Sequence, residues 1–298
     1  MPCLYAHTLF GFSVRDRLPQ PLAALLARNE AAFLAGLPGP DIYFFDRFPP
    51  PLLHPHEKRT GNALHNAPAD AVFAQLLSLA AGDEALLAYT LGFLCHYALD
   101  SAIHPFVDAR YRGLDHTRFE MRLELAFCAR RGSRLSGIPP HRLYAPPVRE
   151  PDLLDRLDAL QHQLAQAVCQ RGARGAFRRS FFKFRRTNRL LYDPAGRKRR
   201  LLQRVERLLR RPAGTLSSLL FAPPQAGDGD LFNEMHAPWR APWEGAPERT
   251  ESFFDLFDAA ADRAVALLPL CYAAWMGDSP ALLLQALKGG NMAHGTYA

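Results

Sequence analysis

One stretch of the sequence constrains the fold more than any other. Residues 83–103, DEALLAYTLGFLCHYALDSAI, place apolar side chains around nearly the whole circumference of a helix. A helix that is apolar on every side is buried, so this segment predicts a long central helix. His104 comes directly before Pro105, and the residue before a proline disfavours helical backbone. The central helix is therefore expected to end at His104.

Three ionisable side chains interrupt this apolar surface at four-residue intervals: His96, Asp100 and His104. Residues four apart share a helix face, so His96 and Asp100 can address one metal ion, while His104, about 12 Å further along the axis than His96, is better placed for a second. Burying these groups unpaired would be costly. A divalent cation removes that cost, because it neutralises the carboxylate and accepts the imidazoles. A hydrogen-bonded His–Asp pair in a core is the structural alternative, and it is the commoner explanation of an isolated HxxxD.

Helical periodicity dominates the rest of the chain as well. Apolar residues recur at helical spacing, bounded by capping residues, glycine or proline, in eight further segments: 21–35, 69–80, 115–130, 151–170, 174–191, 194–210, 248–276 and 279–288. The 194–210 helix is expected to start at Pro194 with Asp193 as its cap. No stretch shows sustained two-residue alternation, so no sheet is expected.

The segments rich in proline, 38–55, 139–151 and 222–247, are predicted loops, and the first belongs to a long connection over residues 38–67. The simplest organisation is an all-α, single-domain helical bundle over residues 1–298. Its parts are a metal-site core (1–130), a basic helical segment (171–211) and C-terminal helices (248–288).

Composition excludes several classes of protein. The hydrophobic fraction of 48% and the charged fraction of 22% are ordinary for a globular chain. No apolar run approaches the roughly 20 residues of a membrane span, and the first residues lack a basic start followed by an apolar stretch. The five cysteines are scattered without a CxxC pair, as expected for reduced thiols. We expect a cytoplasmic protein.

Charge is concentrated in one segment. Residues 171–211 hold 16 Lys or Arg against Asp193 and Glu206, a net charge of +14 in a chain whose total is +7. Such a segment predicts an anionic partner, either a phospholipid surface or a nucleic acid. The helices at 174–211 would place the protein at the inner membrane surface, although they could equally be a solvated face.

Imidazoles and carboxylates outside the central helix extend the set of candidate metal ligands. HTRFE at 116–120 again spaces a histidine and a carboxylate by four residues, and other candidates lie upstream in a constrained turn and near helix starts. The full set is His7, Asp41, His65, His96, Asp100, His104, His116 and Glu120. Nitrogen and oxygen ligands without thiolates suit zinc best, with iron or manganese as alternatives. Eight ligands suit a cluster of two or three ions rather than one tetrahedral ion.

Order, spacing and flanking residues of these motifs together resemble the zinc-dependent phospholipase C family, which includes the phospholipase C/D-like domain of GPI-specific phospholipase D. The resemblance covers residues 1 to about 130 most strongly. It rests on MPxxYAHxxFG at 1–11, GPDIxFF at 39–45, LHxxP at 64–68, GFLCHYALDSAIHPF at 92–106 and HTxxE at 116–120. It implies an α-helical bundle of the phospholipase C or single-strand nuclease type with a trinuclear zinc site.

The resemblance also implies how the ligands divide among the ions. Asp41, His65, His96 and Asp100 would hold one zinc, and His104, His116 and Glu120 a second. His7 and Asp100 would share a third with the N-terminal amine, which removal of Met1 would place on Pro2.

The implied activity is zinc-dependent phosphodiester hydrolysis, phospholipase C-like, in which a metal-activated water attacks the phosphodiester. Asp41 is our candidate for a ligand that also orients or deprotonates that water. The loop at 227–244 brings Asn233, His236 and Trp239, as a substrate loop or as surface packing.

Two other functions stay open. One is a phosphodiesterase like the single-strand nucleases, for which Trp239 and Trp243 could stack bases. The other is a non-catalytic basic scaffold that binds membrane or RNA. Of the two anionic partners, a phospholipid surface is favoured over a nucleic acid.

Overall fold

A computed structural model describes residues 4–47, 55–110, 114–131, 138–212, 214–221 and 230–296. Helices make up most of this part of the chain, so the predicted all-α class is confirmed. The α-helices, in chain order, are α1 (Leu4–Arg15), α2 (Gln20–Arg28), α3 (Glu30–Gly36), α4 (Pro55–Asn66), α5 (Ala69–Leu79), α6 (Glu84–Arg110), α7 (Leu114–Arg130), α8 (Pro140–Leu143), α9 (Pro151–Cys169), α10 (Ala176–Leu191), α11 (Arg197–Leu208), α12 (Phe253–Trp275) and α13 (Ala281–Leu287).

Three short 3₁₀ segments and two small hairpins complete the described structure. The 3₁₀ segments are Gly39–Arg47, Pro146–Arg149 and Ser217–Leu219. The hairpins pair β1 (Trp239–Arg240) antiparallel with β2 (Glu248–Arg249), and β3 (Gly290–Asn291) antiparallel with β4 (Gly295–Thr296). The prediction that the chain has no sheet is wrong at these two places, where two-residue strands are too short to show an alternating pattern.

The central helix predicted from residues 83–103 is α6, and it packs against α3 and α12. Two glycines bring α3 and α6 almost into backbone contact. A Cβ added to Gly92 would lie 2.3 Å from the carbonyl oxygen of Phe33, and one added to Gly36 would lie 2.2 Å from the carbonyl oxygen of Tyr89. This close approach holds the segment that follows α3 against the polar face of α6.

The expected end of the central helix at His104 is wrong, because α6 continues through Pro105 to Arg110. Proline has no N–H, so it cannot donate the usual helical hydrogen bond to the carbonyl of Ser101. Gly295 in β4 lies directly against that carbonyl, and a Cβ there would approach the oxygen of Ser101 to 2.6 Å. Packing on every side of α6 therefore outweighs the local preference of the sequence.

Several helix boundaries also differ from prediction. The predicted helix 21–35 is two helices, separated at Asn29, and the predicted loop 38–67 contains both a 3₁₀ segment and α4. The sequence of α4 has little apolar periodicity, and the helix is held by packing against the 3₁₀ segment and α9. The helix α1 carries His7 and was not predicted.

Among the helices that begin later than predicted, two have a start that a side chain fixes. The helix predicted from residue 248 begins at Phe253, because Ser252 and Asp255 form a reciprocal capping box. The helix predicted from Pro194 begins at Arg197, and the carboxylate of Asp193 accepts a hydrogen bond from the backbone N–H of Arg199 at 2.8 Å.

Among the described residues, α6 alone has the length and apolar composition of a membrane-crossing helix, yet 94% of its most apolar window is buried inside the protein. It is the core helix of the bundle. The described cysteines, Cys95, Cys128, Cys169 and Cys271, are free thiols.

Candidate metal centre

The predicted ligands on α6 meet others that come from distant parts of the chain. His96, Asp100 and His104 lie on one face of α6, as their four-residue spacing requires. Three further elements add one side chain each: His7 from α1, Asp41 from the 3₁₀ segment Gly39–Arg47 and His65 from the last turn of α4.

The carboxylate of Asp100 is the centre of this arrangement. Its Oδ1 lies 3.1 Å from Nε2 of His7. Its Oδ2 lies 3.1 Å from Nε2 of His96, 3.4 Å from that of His104 and 3.6 Å from that of His65. A single carboxylate is therefore surrounded by four imidazoles, all facing it through Nε2.

Asp41 adds a second carboxylate to the cluster. Its Oδ1 lies 3.1 Å from Nε2 of His65, which is thus shared between two carboxylates. Gly39, two residues earlier, has a φ of +50°, and its Cα lies so close to His96 that a Cβ would come within 2.3 Å of the imidazole ring. Only glycine fits there without displacing the ring, so the Gly-Pro-Asp turn sets Asp41 beside the face of α6.

The second ring nitrogen of two histidines is fixed by the backbone. Nδ1 of His65 donates to the carbonyl of Gly61 at 2.8 Å, and Nδ1 of His96 donates to the carbonyl of Leu37 at 3.2 Å, since a carbonyl can only accept. This leaves both Nε2 atoms unprotonated in the neutral imidazole and aimed at the carboxylates. Metal-ligating histidines are oriented in the same way by backbone carbonyls.

The backbone of His65 is held as well. Its carbonyl accepts hydrogen bonds from the N–H groups of Met292 at 3.0 Å and Ala293 at 3.2 Å, both in the turn between β3 and β4. The hairpin of β3 and β4 therefore holds the end of α4 at His65.

Buried polar atoms without a hydrogen-bond partner indicate that the cluster can hold a metal ion. Four of its buried polar atoms make no hydrogen bond of acceptable geometry, although they lie close to one another: Oδ1 of Asp41, Nε2 of His65, Nε2 of His96 and Oδ2 of Asp100. Buried polar atoms are almost always satisfied, so such a group calls for a partner. A cation is the partner that carboxylate oxygens and imidazole nitrogens accept together.

Distances agree with this reading. One ligand atom each from His7, Asp41, His96 and Asp100 lies within 4.8 Å of all the others. Ligand atoms around a tetrahedral zinc, bound at about 2.0–2.1 Å, stand about 3.3 Å apart. The contacts of 3.1–3.6 Å around Asp100 fall at that spacing. The donor set contains only nitrogen and oxygen, which is compatible with zinc.

Burial keeps two of the imidazoles neutral. Desolvation lowers the pKa of His7 below its ordinary value of 6.5, and the neighbouring imidazole of His96, stacked at 4.5 Å between ring centroids, lowers it further. Desolvation likewise lowers the pKa of His104. Neutral imidazoles offer the lone pair that a cation binds.

The two carboxylates stay ionised despite their burial. Burial alone would raise the pKa of Asp100, but His96 and His104 hold it well below the ordinary value. Burial likewise opposes ionisation of Asp41, and contact with His65 contributes to a lowered pKa. For His65, burial favours the neutral form, but contacts with Asp100 and Asp41 raise its pKa to about 9. The centre therefore holds a buried negative charge that attracts a cation.

Glu120 lies beside the cluster. Its side chain is buried, and it lines one cavity together with His7, Asp100 and His104. His116 belongs to α7, but its side chain lies outside the described residues, as does the predicted N-terminal ligand Pro2.

A second buried carboxylate on α7 was missed by sequence reasoning. Glu124 accepts hydrogen bonds from the backbone N–H groups of Tyr5 and Ala6, at the start of α1. Burial raises its pKa well above the ordinary value. Its four-residue spacing from Glu120 was the available signal, since both then share one face of α7. Glu124 ties the first turn of α1, and with it His7, to α7.

The predicted substrate loop is fastened to the segment between β2 and α12. The amide of Asn233 donates to the carbonyls of Ala237, Thr250 and Glu251, at 3.0, 3.1 and 3.3 Å. The side chain of His236 is exposed, and its Nδ1 lies 3.1 Å from the carbonyl oxygen of Thr250.

Trp239, from the same loop, is buried and packs edge-on against Phe106 of α6 at 5.5 Å between ring centroids. These contacts hold the loop against α6. A part in substrate binding for Asn233, His236 and Trp239 stays a prediction.

The fold and the site define an all-helical protein with a buried histidine–aspartate centre suited to a metal ion. The family model described as zinc dependent phospholipase C matches residues 6–171, more than half of the 298 residues. The chain belongs to this family, as its sequence motifs predicted. Comparison with curated proteins and with solved structures gives no match.

Proposed function

We propose that this protein is a zinc-dependent phosphodiester hydrolase of the phospholipase C type, acting on phospholipid head groups. The observation that carries the proposal is the carboxylate of Asp100, buried and surrounded by four imidazoles at 3.1–3.6 Å. Family membership supports the reaction class, and the family description supports a phospholipid substrate.

The ligands divide into three groups in this proposal. Asp41, His65, His96 and Asp100 hold one ion. His104 and Glu120, which line one cavity, hold a second together with His116. His7 and Asp100 would hold the remaining ion, and the N-terminal amine that removal of Met1 would leave on Pro2 is a further candidate ligand.

Each residue has a defined task. Bound zinc supplies positive charge to the phosphoryl oxygens and lowers the pKa of a bound water. Asp41, kept ionised by its contact with His65, accepts a hydrogen bond at its carboxylate and orients the attacking water. The carbonyls of Gly61 and Leu37 hold the imidazoles of His65 and His96 in place during turnover.

The test combines metal analysis with hydrolysis. The purified protein is assayed for bound zinc and for cleavage of bis-p-nitrophenyl phosphate, phosphatidylcholine and single-stranded DNA. Asp100→Asn removes the central charge and is expected to lose bound zinc and to lower hydrolysis by at least about a thousandfold. Asp262→Asn, at an exposed carboxylate in α12 that is paired with Arg17, is the matched control and should keep both.

Different results distinguish the alternatives. Zinc retained in full by Asp100→Asn would refute the assignment of the centre. Cleavage of single-stranded DNA in preference to phosphatidylcholine would replace the substrate by a nucleic acid. A protein without bound metal would be a scaffold rather than an enzyme.

We further propose a cytoplasmic location at the inner membrane surface. The free thiols of the four described cysteines support a reducing compartment. Fractionation of cells that produce the protein should place it with the cytoplasm and the inner membrane, and recovery outside the cytoplasmic membrane would contradict this.

A further inference from the structure

The helix α11, which lies beyond the residues matched by the family model, exposes an apolar stripe. Leu201, Val205 and Leu208 recur at helical spacing, and Leu209 follows at the end of the helix. Their exposed fractions are 61%, 40%, 82% and 63%. Single exposed leucines are ordinary, but a stripe of four on one face is the kind of patch that marks a binding surface.

Arginines run beside this stripe. Arg197 and Arg204 are seven residues apart and therefore lie in one row along the helix, next to the row of Arg200 and Arg207. All four are exposed, and none takes part in an ion pair with the described residues. The exposed side of α11 therefore combines an apolar stripe with a positively charged flank.

The one acidic residue of α11 is turned away from this side. Glu206 is 4% exposed, and its carboxylate accepts hydrogen bonds from the N–H groups of Gly214, Leu216 and Ser217 at 3.1, 2.6 and 2.8 Å. The hydroxyl of Ser217 adds a fourth at 2.9 Å. These bonds fix the rotation of α11 about its axis, so the leucines are held outward rather than folded inward.

We propose that α11 binds the surface of an anionic lipid bilayer, with its leucines among the acyl chains and its arginines at the phosphates. The pattern is that of an interfacial helix, which has an apolar face, a basic flank and low net hydrophobicity. Charge complementarity selects an anionic surface. A nucleic acid would pair with the arginines but would leave the leucine stripe in water. The inference goes beyond the proposed hydrolase activity, because binding to a bilayer requires no metal ion.

The experiment is co-sedimentation of the full chain with vesicles. Vesicles of phosphatidylcholine alone are compared with vesicles that also contain phosphatidylglycerol. The chain is expected to bind the anionic vesicles more tightly, and added salt should weaken that binding.

Two double variants test the two halves of the surface. Leu201→Gln with Leu208→Gln should weaken binding by about tenfold, because two leucines no longer enter the bilayer. Arg197→Gln with Arg204→Gln should weaken binding by about fivefold for each charge removed, and should reduce the salt dependence. Leu282→Gln in α13, where the leucine is 66% exposed, is the matched control and should bind within about twofold of the parent.

The outcomes separate this inference from the proposed function. Equal binding to both kinds of vesicle, or binding that the leucine variant leaves unchanged, overturns the inference. Tighter binding to single-stranded RNA than to anionic vesicles overturns it too, and assigns the arginines to nucleic acid. A chain that holds no zinc and cleaves no diester, but still sediments with anionic vesicles, overturns the hydrolase proposal and leaves the membrane surface standing.

Discussion

His96 and Asp100 in α6 are 0% and 5% exposed, whereas Leu208 in α11 is 82% exposed. The first region buries groups that prefer water, and the second exposes a group that avoids it. Each arrangement is unfavourable for the isolated chain, and each becomes favourable with one kind of partner. A cation inside the bundle satisfies the first region, and an apolar phase outside satisfies the second. Departures from ordinary burial thus indicate that the inner region favours a cation and that the outer region favours an apolar partner.

Metal removal should produce the largest effect and should act on the inner region alone. Zinc at about a thousand times its dissociation constant stabilises the folded state by about 4 kcal/mol per site. Exhaustive chelation is therefore expected to lower the free energy of unfolding by about this amount, measured by denaturant titration with and without added zinc. The Asp100→Asn variant is the control and should respond much less to the chelator. An equal response in both proteins would contradict a centre organised around Asp100.

A leucine side chain should contribute very different amounts to the free energy of unfolding in the two regions. Leu94→Ala empties a fully buried position in α6 and should cost about 3 kcal/mol of unfolding free energy. Leu208→Ala in α11 should change it by less than about 0.5 kcal/mol, because its side chain is already in water. Thermal and denaturant unfolding measure both. A cost above about 1 kcal/mol at Leu208 would show that α11 packs its leucines inward.

Glu206→Gln should lower the stability by a smaller amount, because it weakens the hydrogen bonds that hold α11 in its outward orientation. The substitution replaces the charged acceptor of three backbone N–H groups by a neutral amide, so about 1–2 kcal/mol of stability should be lost at neutral pH. Glu248→Gln, at an exposed carboxylate, is the matched control and should be nearly neutral.

This difference between parent and Glu206→Gln should also depend on pH. Burial alone would raise the pKa of Glu206, but the hydrogen bonds from Leu216 and Ser217 lower it below its ordinary value of 4.5. A group with a depressed folded-state pKa contributes its full stability above the unfolded value and loses it as pH falls through the folded value. The parent and the variant should therefore differ by a constant amount above about pH 5 and converge in acid. A difference that persists unchanged in acid would exclude Glu206 as the source.

Local patterns in the sequence predicted much of the inner region. The apolar surface of residues 83–103 gave a buried helix, and the four-residue spacing of His96, Asp100 and His104 gave one polar face. Asp41 was a candidate ligand because of its constrained turn, but local patterns could not place it against α6, since that position follows from the contact of Gly36 with Gly92 between two helices. No local rule specifies such a contact.

The outer region was less predictable for a different reason. The amphipathic pattern of α11 predicted a helix, but an amphipathic helix normally turns its apolar face inward. Its reversed orientation is fixed by the buried carboxylate of Glu206, whose partners lie in the following loop at Gly214, Leu216 and Ser217. Hydrogen bonds of this kind leave no periodic signal in the sequence.

The hydrogen bonds from Met292 and Ala293 to the carbonyl of His65 have a consequence for folding during translation. Translation proceeds at about 5–20 residues per second, so the ribosome needs roughly 10–45 s to travel from codon 65 to codon 292. Until residues 292 and 293 have been made, the carbonyl of His65 lacks these two hydrogen-bond donors. We therefore expect a nascent chain stalled before β3 to hold the end of α4 less firmly than the released protein does.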